Sequence, residues 1–394
     1  MRVLCDFQDT IGGAPRSLKE HALLLKAHGH EIIAVISVKD YGDFFDNTSF
    51  QIIQLPRFYT RHIFKNIWLL NVYTQQIKKN KIDLLYTNRV TQSLFLSIVS
   101  DFANVPILNA RAGGAEIPTN VKVNKDKHFV VYSEENLQVF RELGFSEDKL
   151  FLLRNRIPAP IIKSETLESL IPKEEILITI TGSIKEETLK GIIWFLNFVS
   201  QNLSSSYNVV INIAGGSLLS DGGKQLMFET TLEEAKRAVP FSWKINYLGY
   251  VSNITELQEK SHICIGKGRS VIQPAMMGKI TFVISEGGRL YRSKHSIYKC
   301  LRFYNFSGRG NIIEEDDSVT EFKELLIDPN IFPKFQDQAN ILSETFKEDY
   351  ATEFAIDKLQ DYINVVIREQ FNFSAIKGII KLVKLYWSVL MAKV

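Results

Sequence analysis

His262-Ile263-Cys264-Ile265-Gly266-Lys267-Gly268-Arg269-Ser270-Val271-Ile272-Gln273-Pro274-Ala275-Met276-Met277-Gly278-Lys279 decides how this chain folds. His262–Ile265 reads as a buried strand, and a short helix follows the glycine-rich turn. Two glycines, two cations and Ser270 therefore sit at the mouth of a helix. Backbone amides, the positive helix end and Arg269, a bidentate phosphate partner, together form an anion site. Gln273 lies about one turn into the helix, in reach of sugar hydroxyls. The alternative is a surface loop of solvated charges. Met276 and Met277 read as core.

The same strand–turn–helix step recurs on both sides of this segment. Short Val/Ile/Leu runs alternate with amphipathic stretches, the pattern of buried parallel sheets. Strands are expected near 1–7, 31–37, 50–54, 82–86, 105–109, 128–132 and 150–154, and again near 175–181, 208–213, 244–248, 262–265 and 281–284. The clearest helix is 15–28, with Leu18, His21, Leu24 and Leu25 on one face and Gly29 as its stop. Between the two series the pattern lapses at Ile157-Pro158-Ala159-Pro160 and on to Pro172. The expected organisation is a first lobe over 1–157, a linker over 158–174, a second lobe over 175–345, a crossing helix over 346–370 and a tail over 371–394. A length of 394 residues suits two domains. Ligands of such sheets sit beyond the C-terminal strand ends, and a cleft between lobes is the expected site.

Other loops at strand ends carry ligand-type residues. Gly12-Gly13 opens the first long helix and reads either as an anion site or as a tight turn. Thr181-Gly182-Ser183 ends the first strand of the second series, and Lys190-Gly191 is expected to begin a helix. Lys190 is then a phosphate point charge or a solvated lysine. Ala214-Gly215-Gly216 offers close backbone approach or a plain turn. Glu286-Gly287-Gly288 follows the next apolar strand, and Glu286 is expected to bind hydroxyls or to cap a following helix. Beyond a first-series strand stands Ala112-Gly113-Gly114-Ala115-Glu116, which makes Arg111 and Glu116 candidates beside a reacting sugar.

Composition narrows the class. Apolar residues make up 45% and charged residues 23%, which suits a folded globular chain. Cys5, Cys264 and Cys300 are scattered and odd in number, so neither a disulfide scaffold nor a zinc site is expected and a reducing compartment fits. No HExxH motif, Ser/His/Asp order or metal cluster stands out, and most of the histidines read as surface or packing residues. The start of the chain reads as a strand rather than a targeting segment, and no apolar run is long enough to span a bilayer. Of the net charge of +3, Lys377, Lys381, Lys384 and Lys393 supply +4 within 371–394, leaving −1 elsewhere. That balance argues against nucleic acid. Residues 375–394 read as a lysine-faced amphipathic helix with Tyr386 and Trp387, expected either to dock on an anionic inner-leaflet surface or to pack on the first lobe or a partner.

With these residues in hand, the chain resembles the GT-B retaining glycosyltransferases of the group 1 (family 4) type over roughly 1–368. Gly12-Gly13 through Gly29-His30-Glu31 resembles the family opening. Val130-Val131-Tyr132-Ser133-Glu134 and Leu152-Leu153-Arg154-Asn155 follow in family order. So do Gly182 with Lys190-Gly191, Ala214-Gly215-Gly216 and Tyr247-Leu248-Gly249-Tyr250-Val251. Gln273-Pro274-Ala275-Met276-Met277-Gly278-Lys279 is similar to the Glu-Ala-Met-Ala-x-Gly-Lys helix start. There are departures. Ser183 stands where an arginine is common. Ile265 and Gln273 occupy the places of the paired glutamates, with a glycine–arginine loop beside them in which Arg269 takes over the arginine's charge. A first-lobe histidine is replaced by the neighbourhood Ala110, Arg111, Ala112.

The resemblance implies an α/β, GT-B fold: two Rossmann-like lobes facing across a cleft, with C-terminal helices packing back toward the first lobe. It implies a hexosyltransferase-type, retaining, metal-independent enzyme that uses a nucleoside diphosphate sugar and no cofactor. Gly12, Gly13, Gly182, Ser183, Lys190, Gly215, Gly216, Gly266, Gly268, Arg269, Ser270, Gln273 and Glu286 are the expected donor-binding set. Glu116, Arg111, Lys190 and Arg269 are the expected catalytic set. The acceptor is expected to be a glycan or lipid-linked hydroxyl in cell-envelope or exopolysaccharide assembly, at the cytoplasmic face of a membrane. Two other readings stay open: a degenerate GT-B binding subunit, suggested by the missing glutamates, and a sugar-nucleotide epimerase.

Overall fold

The computed structural model describes residues 1–7, 13–37, 42–56, 63–88, 90–111, 124–154, 156–160, 171–182, 184, 186–201, 205–216, 222–251, 253–309 and 316–369. The chain divides into two compact units. One comprises Met1–Pro158 with the chain from Tyr350 onward, and the other is Ala159–Asp349.

The first unit is built on β1 (Arg2–Asp6), β2 (Glu31–Ile36), β3 (Gln51–Gln54), β4 (Leu84–Thr87), β5 (Ile107–Arg111), β6 (His128–Val131) and β7 (Leu150–Leu152). They run parallel in the order β3-β2-β1-β4-β5-β6-β7. The inner strands are apolar at nearly every position because both faces are covered. Val3, Cys5, Ala34 and Leu84 enter one buried cluster, and Leu4, Ile33, Val35 and Leu85 enter another. Helices α1 (Gly13–Ala27), α2 (Ile63–Lys79), α3 (Val90–Ala103) and α4 (Glu134–Glu142) connect them. Gly29 stops α1 with φ at +84°, a backbone that favours glycine. Ser133 caps α4, its Oγ accepting from the Asn136 amide at 3.2 Å.

The second unit holds β8 (Glu175–Thr181), β9 (Asn208–Ala214), β10 (Trp243–Gly249), β11 (Ile263–Gly266), β12 (Ile280–Ile284) and β13 (Leu290–Arg292). Their order is β10-β9-β8-β11-β12-β13, parallel except for the last strand. Its helices are α5 (Glu186–Ser200), α6 (Gly222–Ala238), α7 (Ile254–Lys260), α8 (Arg269–Met276), α9 (His295–Phe303), α10 (Ser318–Ile327) and α11 (Ile331–Tyr350). Met276 and Met277 are buried, as expected.

Two local expectations are corrected. Lys190-Gly191 does not open a helix, since α5 already begins at Glu186. No helix follows Glu286 either. Gly288, with φ at +77°, turns the chain back into β13, antiparallel to β12.

The chain returns to the first unit at Tyr350. Its carbonyl accepts from the amides of Arg156 at 2.9 Å and Ile157 at 3.1 Å, and the Thr352 amide donates to the Ile157 carbonyl at 2.9 Å. Arg156 is buried, its guanidinium 5.3 Å from the Tyr132 ring and 5.5 Å from the Tyr350 ring. Helix α12 (Ile356–Arg368) then packs on the first unit, in line with the expected return of the C-terminal helices. Leu359, Ile363 and Val366 are fully buried in the cluster that contains Val3 and Cys5. Each contributes roughly 1.5–3 kcal/mol of transfer free energy.

Candidate functional site

In the second unit the strand order reverses at β8, which lies between β9 and β11. Loops on either side of such a reversal diverge and leave a crevice beyond the C-terminal strand ends. The loops after β8, β9, β11 and β12, together with helices α5 and α8 that follow two of them, carry most of the expected donor-binding residues.

Close packing joins these loops. A Cβ placed on Gly215 would stand 1.7 Å from the Gly182 carbonyl oxygen, so the loops after β8 and β9 meet backbone to backbone. One on Gly266 would meet the Ser270 Cβ at 2.7 Å and the Thr181 carbonyl oxygen at 2.8 Å. Gly191 brings α5 against the end of β12, where a Cβ would lie 2.8 Å from the Ser285 carbonyl oxygen. Gly191 is thus a packing glycine that must be small, and Lys190 beside it is exposed.

Several amides expected to face an anion are engaged within the protein. Gly182 donates to the Ala214 carbonyl at 3.1 Å, Gly215 to Gly249 at 2.7 Å and Gly268 to Phe306 at 2.6 Å. Ser270 donates to Lys267 at 3.2 Å and Val271 to Gly268 at 3.0 Å. These loops hold one another in shape, and their side chains are left to meet a ligand. Arg269 is the first residue of α8 and is half-buried. Its Nε lies 3.5 Å from Gln273 Oε1, while Gln273 Nε2 donates to Thr255 Oγ1 at 2.8 Å. Lys267 Nζ pairs with Glu286 Oε1 at 3.2 Å, tying the loop after β11 to the loop after β12.

Three contributors were missed by sequence reasoning. Thr255 on α7 orients Gln273. Gln258, buried on the same helix, donates through Nε2 to Thr181 Oγ1 at 3.3 Å and to the Ser270 carbonyl at 3.4 Å. The third is Tyr250, 67% exposed, whose Cβ is 3.9 Å from the place a Gly216 Cβ would occupy. An exposed aromatic ring next to this turn has a face open to stacking. Only Tyr250 had a signal in the sequence, as part of the family-like stretch.

Beyond β12 the turn into β13 leaves a cavity of about 440 Å³ lined by Ser285, Glu286, Gly287, Arg289, Tyr291, Gly308 and Arg309. Glu286, which pairs with Lys267, forms part of its wall. Lys279 is not available to a ligand: it is buried and its Nζ donates to the Glu259 carbonyl at 2.5 Å. Burial and the lack of a nearby counter-charge strong enough to offset it hold its pKa below the ordinary lysine range.

Of the residues expected in the first unit, Arg111 ends β5 opposite Val131 and is half-buried, and Gly13 is the first residue of α1. Gly12, Glu116, Ser183 and the tail 371–394 lie outside the described residues. Among the described residues, no group of three His, Cys, Asp or Glu side chains converges in a way that could hold a metal. Cys5 and Cys264 are buried and Cys300 is exposed, all as free thiols.

No protein-family model matches this sequence, and no curated protein matches it. Solved structures do. A glycosyltransferase from Rickettsia africae is similar over 93% of this chain and 99% of its own, at 14% identity and a TM-score of 0.67. Anabaena HepE in complex with UDP is similar over 93% of this chain and 100% of its own, at 10% identity and a TM-score of 0.69. Sucrose-phosphate synthase from Thermosynechococcus elongatus is similar over 92% of this chain and 98% of its own, at 13% identity and a TM-score of 0.65. On this likeness of fold, the chain is an α/β protein with the fold of the GT-B glycosyltransferases.

Proposed function

We propose that this protein is a glycosyltransferase that moves a sugar from a nucleoside diphosphate sugar to a hydroxyl acceptor. The observation that carries the proposal is the joined set of loops after β8, β9, β11 and β12 at the reversal point of the second sheet, in a fold shared with HepE, which has been solved with UDP. In this reading Tyr250 stacks on the base. Arg269 and Lys190 neutralise the pyrophosphate, and Gln273, held by Thr255, meets hydroxyls of the ribose or sugar. The bond from the anomeric carbon to the pyrophosphate oxygen breaks, the acceptor oxygen forms its bond to that carbon, and the hydroxyl proton passes to the departing diphosphate. Stabilising the departing diphosphate is the main electrostatic demand, and fixed cations meet it without a metal. Arg111 and Glu116 of the first unit serve the reacting sugar, and Gly12 and Gly13 contribute to holding the donor.

The finer reading is a retaining hexosyl transfer to a glycan or lipid-linked acceptor, in cell-envelope or exopolysaccharide assembly. The protein would work at the cytoplasmic face of a membrane, with residues 375–394 helping to hold it there. A panel of nucleotide sugars with a glycan-lipid acceptor extract tests it. Release of nucleoside diphosphate that depends on acceptor supports transfer, and failure to bind any nucleotide sugar rejects it.

A second reading is favoured by specific observations. Ile265 and Gln273 lack carboxylates, and Lys267 is already neutralised by Glu286. A binding subunit that retains the donor without turning it over would bind nucleotide and release none. An epimerase would instead convert the sugar nucleotide with no acceptor present.

A further inference from the structure

Helix α2 of the first unit has two apolar faces where its fold needs one. Its inward face is satisfied: Leu69, Leu70, Tyr73 and Ile77 are buried in the cluster with Leu4, Ile33 and Leu85. On the outward face Phe64 is 84% exposed, Ile67 46% and Trp68 55%. Positions i, i+3 and i+4 are neighbours on a helix surface, so the three form one patch. Farther along this face stand Asn71 and Gln75, the side chains usual on a solvated surface. The patch is therefore local to the first turns of α2. It gains nothing from the core of its own unit, and contiguous exposed apolar surface of this kind marks an interaction site.

Charge selects the partner. From Asn47 to Ile82 the sequence carries Arg57, Arg61, Lys65, Lys78, Lys79 and Lys81 and no carboxylate. The rest of the chain keeps 41 of the 47 basic residues against all 44 acidic ones. Lys65 is exposed beside the patch, and Lys78 and Lys79 are exposed at the far end of the same helix. A second copy docked through this face would set like charge against like, which opposes a two-fold interface. An anionic bilayer surface meets both demands. Aromatic and aliphatic side chains seat at the boundary between headgroups and acyl chains, and cations reach the lipid phosphates. Among the described residues no helix is long and apolar enough to cross a membrane, so the contact is one of lying on the surface.

We infer that the outward face of α2 docks on an anionic lipid surface, with Phe64, Ile67 and Trp68 inserted and Lys65 among the phosphates. This surface belongs to the first unit, is made by residues other than 375–394, and does not depend on sugar transfer.

The test uses the full chain and two kinds of vesicle: phosphatidylcholine alone, and phosphatidylcholine mixed equally with phosphatidylglycerol. The wild type is expected to co-sediment with the mixed vesicles. A Phe64→Ser/Trp68→Ser double variant is expected to bind them about tenfold more weakly, or less, while melting as the wild type does because both side chains face outward. Lys65→Glu is expected to weaken binding to the mixed vesicles severalfold. A variant with Lys377, Lys381 and Lys384 changed to Gln separates the tail, and dependence on Phe64 and Trp68 is expected to persist in it. Binding of the double variant equal to that of the wild type, in both the native-tail and altered-tail chains, overturns the inference. So does light scattering that shows a wild-type dimer dissolved by the double substitution with vesicle binding unchanged.

Discussion

Gly215→Ala is the most demanding single change for the loop architecture described above. The added methyl would stand 1.7 Å from the Gly182 carbonyl oxygen and 2.9 Å from its carbon. Ordinary contact begins above about 3 Å, so the loops after β8 and β9 must part by roughly 1.5 Å. Three hydrogen bonds lie in the path of that motion: Gly182 to Ala214 at 3.1 Å, Gly215 to Gly249 at 2.7 Å and Tyr247 Oη to the Gly215 carbonyl at 3.1 Å. Losing two of them costs about 2 kcal/mol, and residual strain adds about 1–3 kcal/mol. A total of about 3–5 kcal/mol corresponds to a fall in Tm of roughly 8–15 °C for a unit of this size. Gly216→Ala is the matched control, since among the described residues its Cβ would meet only the Tyr250 Cβ at 3.9 Å, and it should change stability by less than about 0.5 kcal/mol. Scanning calorimetry of both variants, with and without UDP, measures the difference. The reasoning fails if Gly215→Ala melts within about 1 °C of Gly216→Ala, because the loops would then not touch as described.

Arg269→Ala and Lys190→Ala should each weaken nucleotide-sugar binding by about ten- to a hundredfold in calorimetric titration with little change in Tm, since each removes a charge-assisted phosphate contact. Tyr250→Ala should raise the dissociation constant for the nucleotide about tenfold through lost stacking and leave discrimination among sugars unchanged. Added chelator should leave nucleotide binding unaltered in the same titration. The first unit should also lose stability in mild acid. His128 Nε2 lies 3.1 Å from Glu369 Oε2 and its Nδ1 3.0 Å from Tyr362 Oη, with Lys149 beside both His128 and Glu369. Burial, then Lys149, hold His128 below its ordinary value of 6.5. The unfolded chain thus takes up a proton that the folded chain refuses. Stability present above about pH 6.5 declines below it, by at most about 1.4 kcal/mol per pH unit. Burial raises the Glu369 carboxyl, but Lys149 and His128 outweigh it and leave it below 4.5. Its contribution is lost only in stronger acid. Urea midpoints against pH should show a shallower first slope in His128→Gln than in wild type, the remainder coming from His30, which burial also holds below its ordinary value.

Much of the sheet architecture was legible because buried parallel strands are written as nearly continuous runs of Val, Ile and Leu, as in Ile32–Ile36, broken only by Ala34, and Ile176–Ile180, broken only by Thr179. The strand Leu290–Arg292 was not legible. It is three residues long, and Glu286-Gly287-Gly288 before it signals a turn without saying what the turn leads to. The helix around Lys190 was read four residues late because the glycine beside it looked like a start. Gly191 is instead the place where α5 touches β12. The loop amides failed for a related reason. A glycine after a strand announces close backbone approach, but whether the visitor is a ligand or the carbonyl of Gly249, over thirty residues away from Gly215, is decided by sheet order. Lys267 with Glu286, and Gln273 with Thr255, depend on the same long-range register.

The return of the chain at Tyr350 makes the second unit an insertion within the first. Its two ends leave from backbone segments bonded to each other, Arg156-Ile157 and Tyr350–Thr352. The first unit is therefore discontinuous in sequence, and Val3 and Cys5 share their core with Leu359, Ile363 and Val366. During synthesis the usual order is reversed. The later-made second unit is complete once Asp349 is free of the ribosome, whereas the earlier-made sheet waits, with part of its apolar face uncovered, until residue 366 arrives. A translational pause between residues 350 and 366 would lengthen that exposure, and it is there that the nascent protein is most open to aggregation.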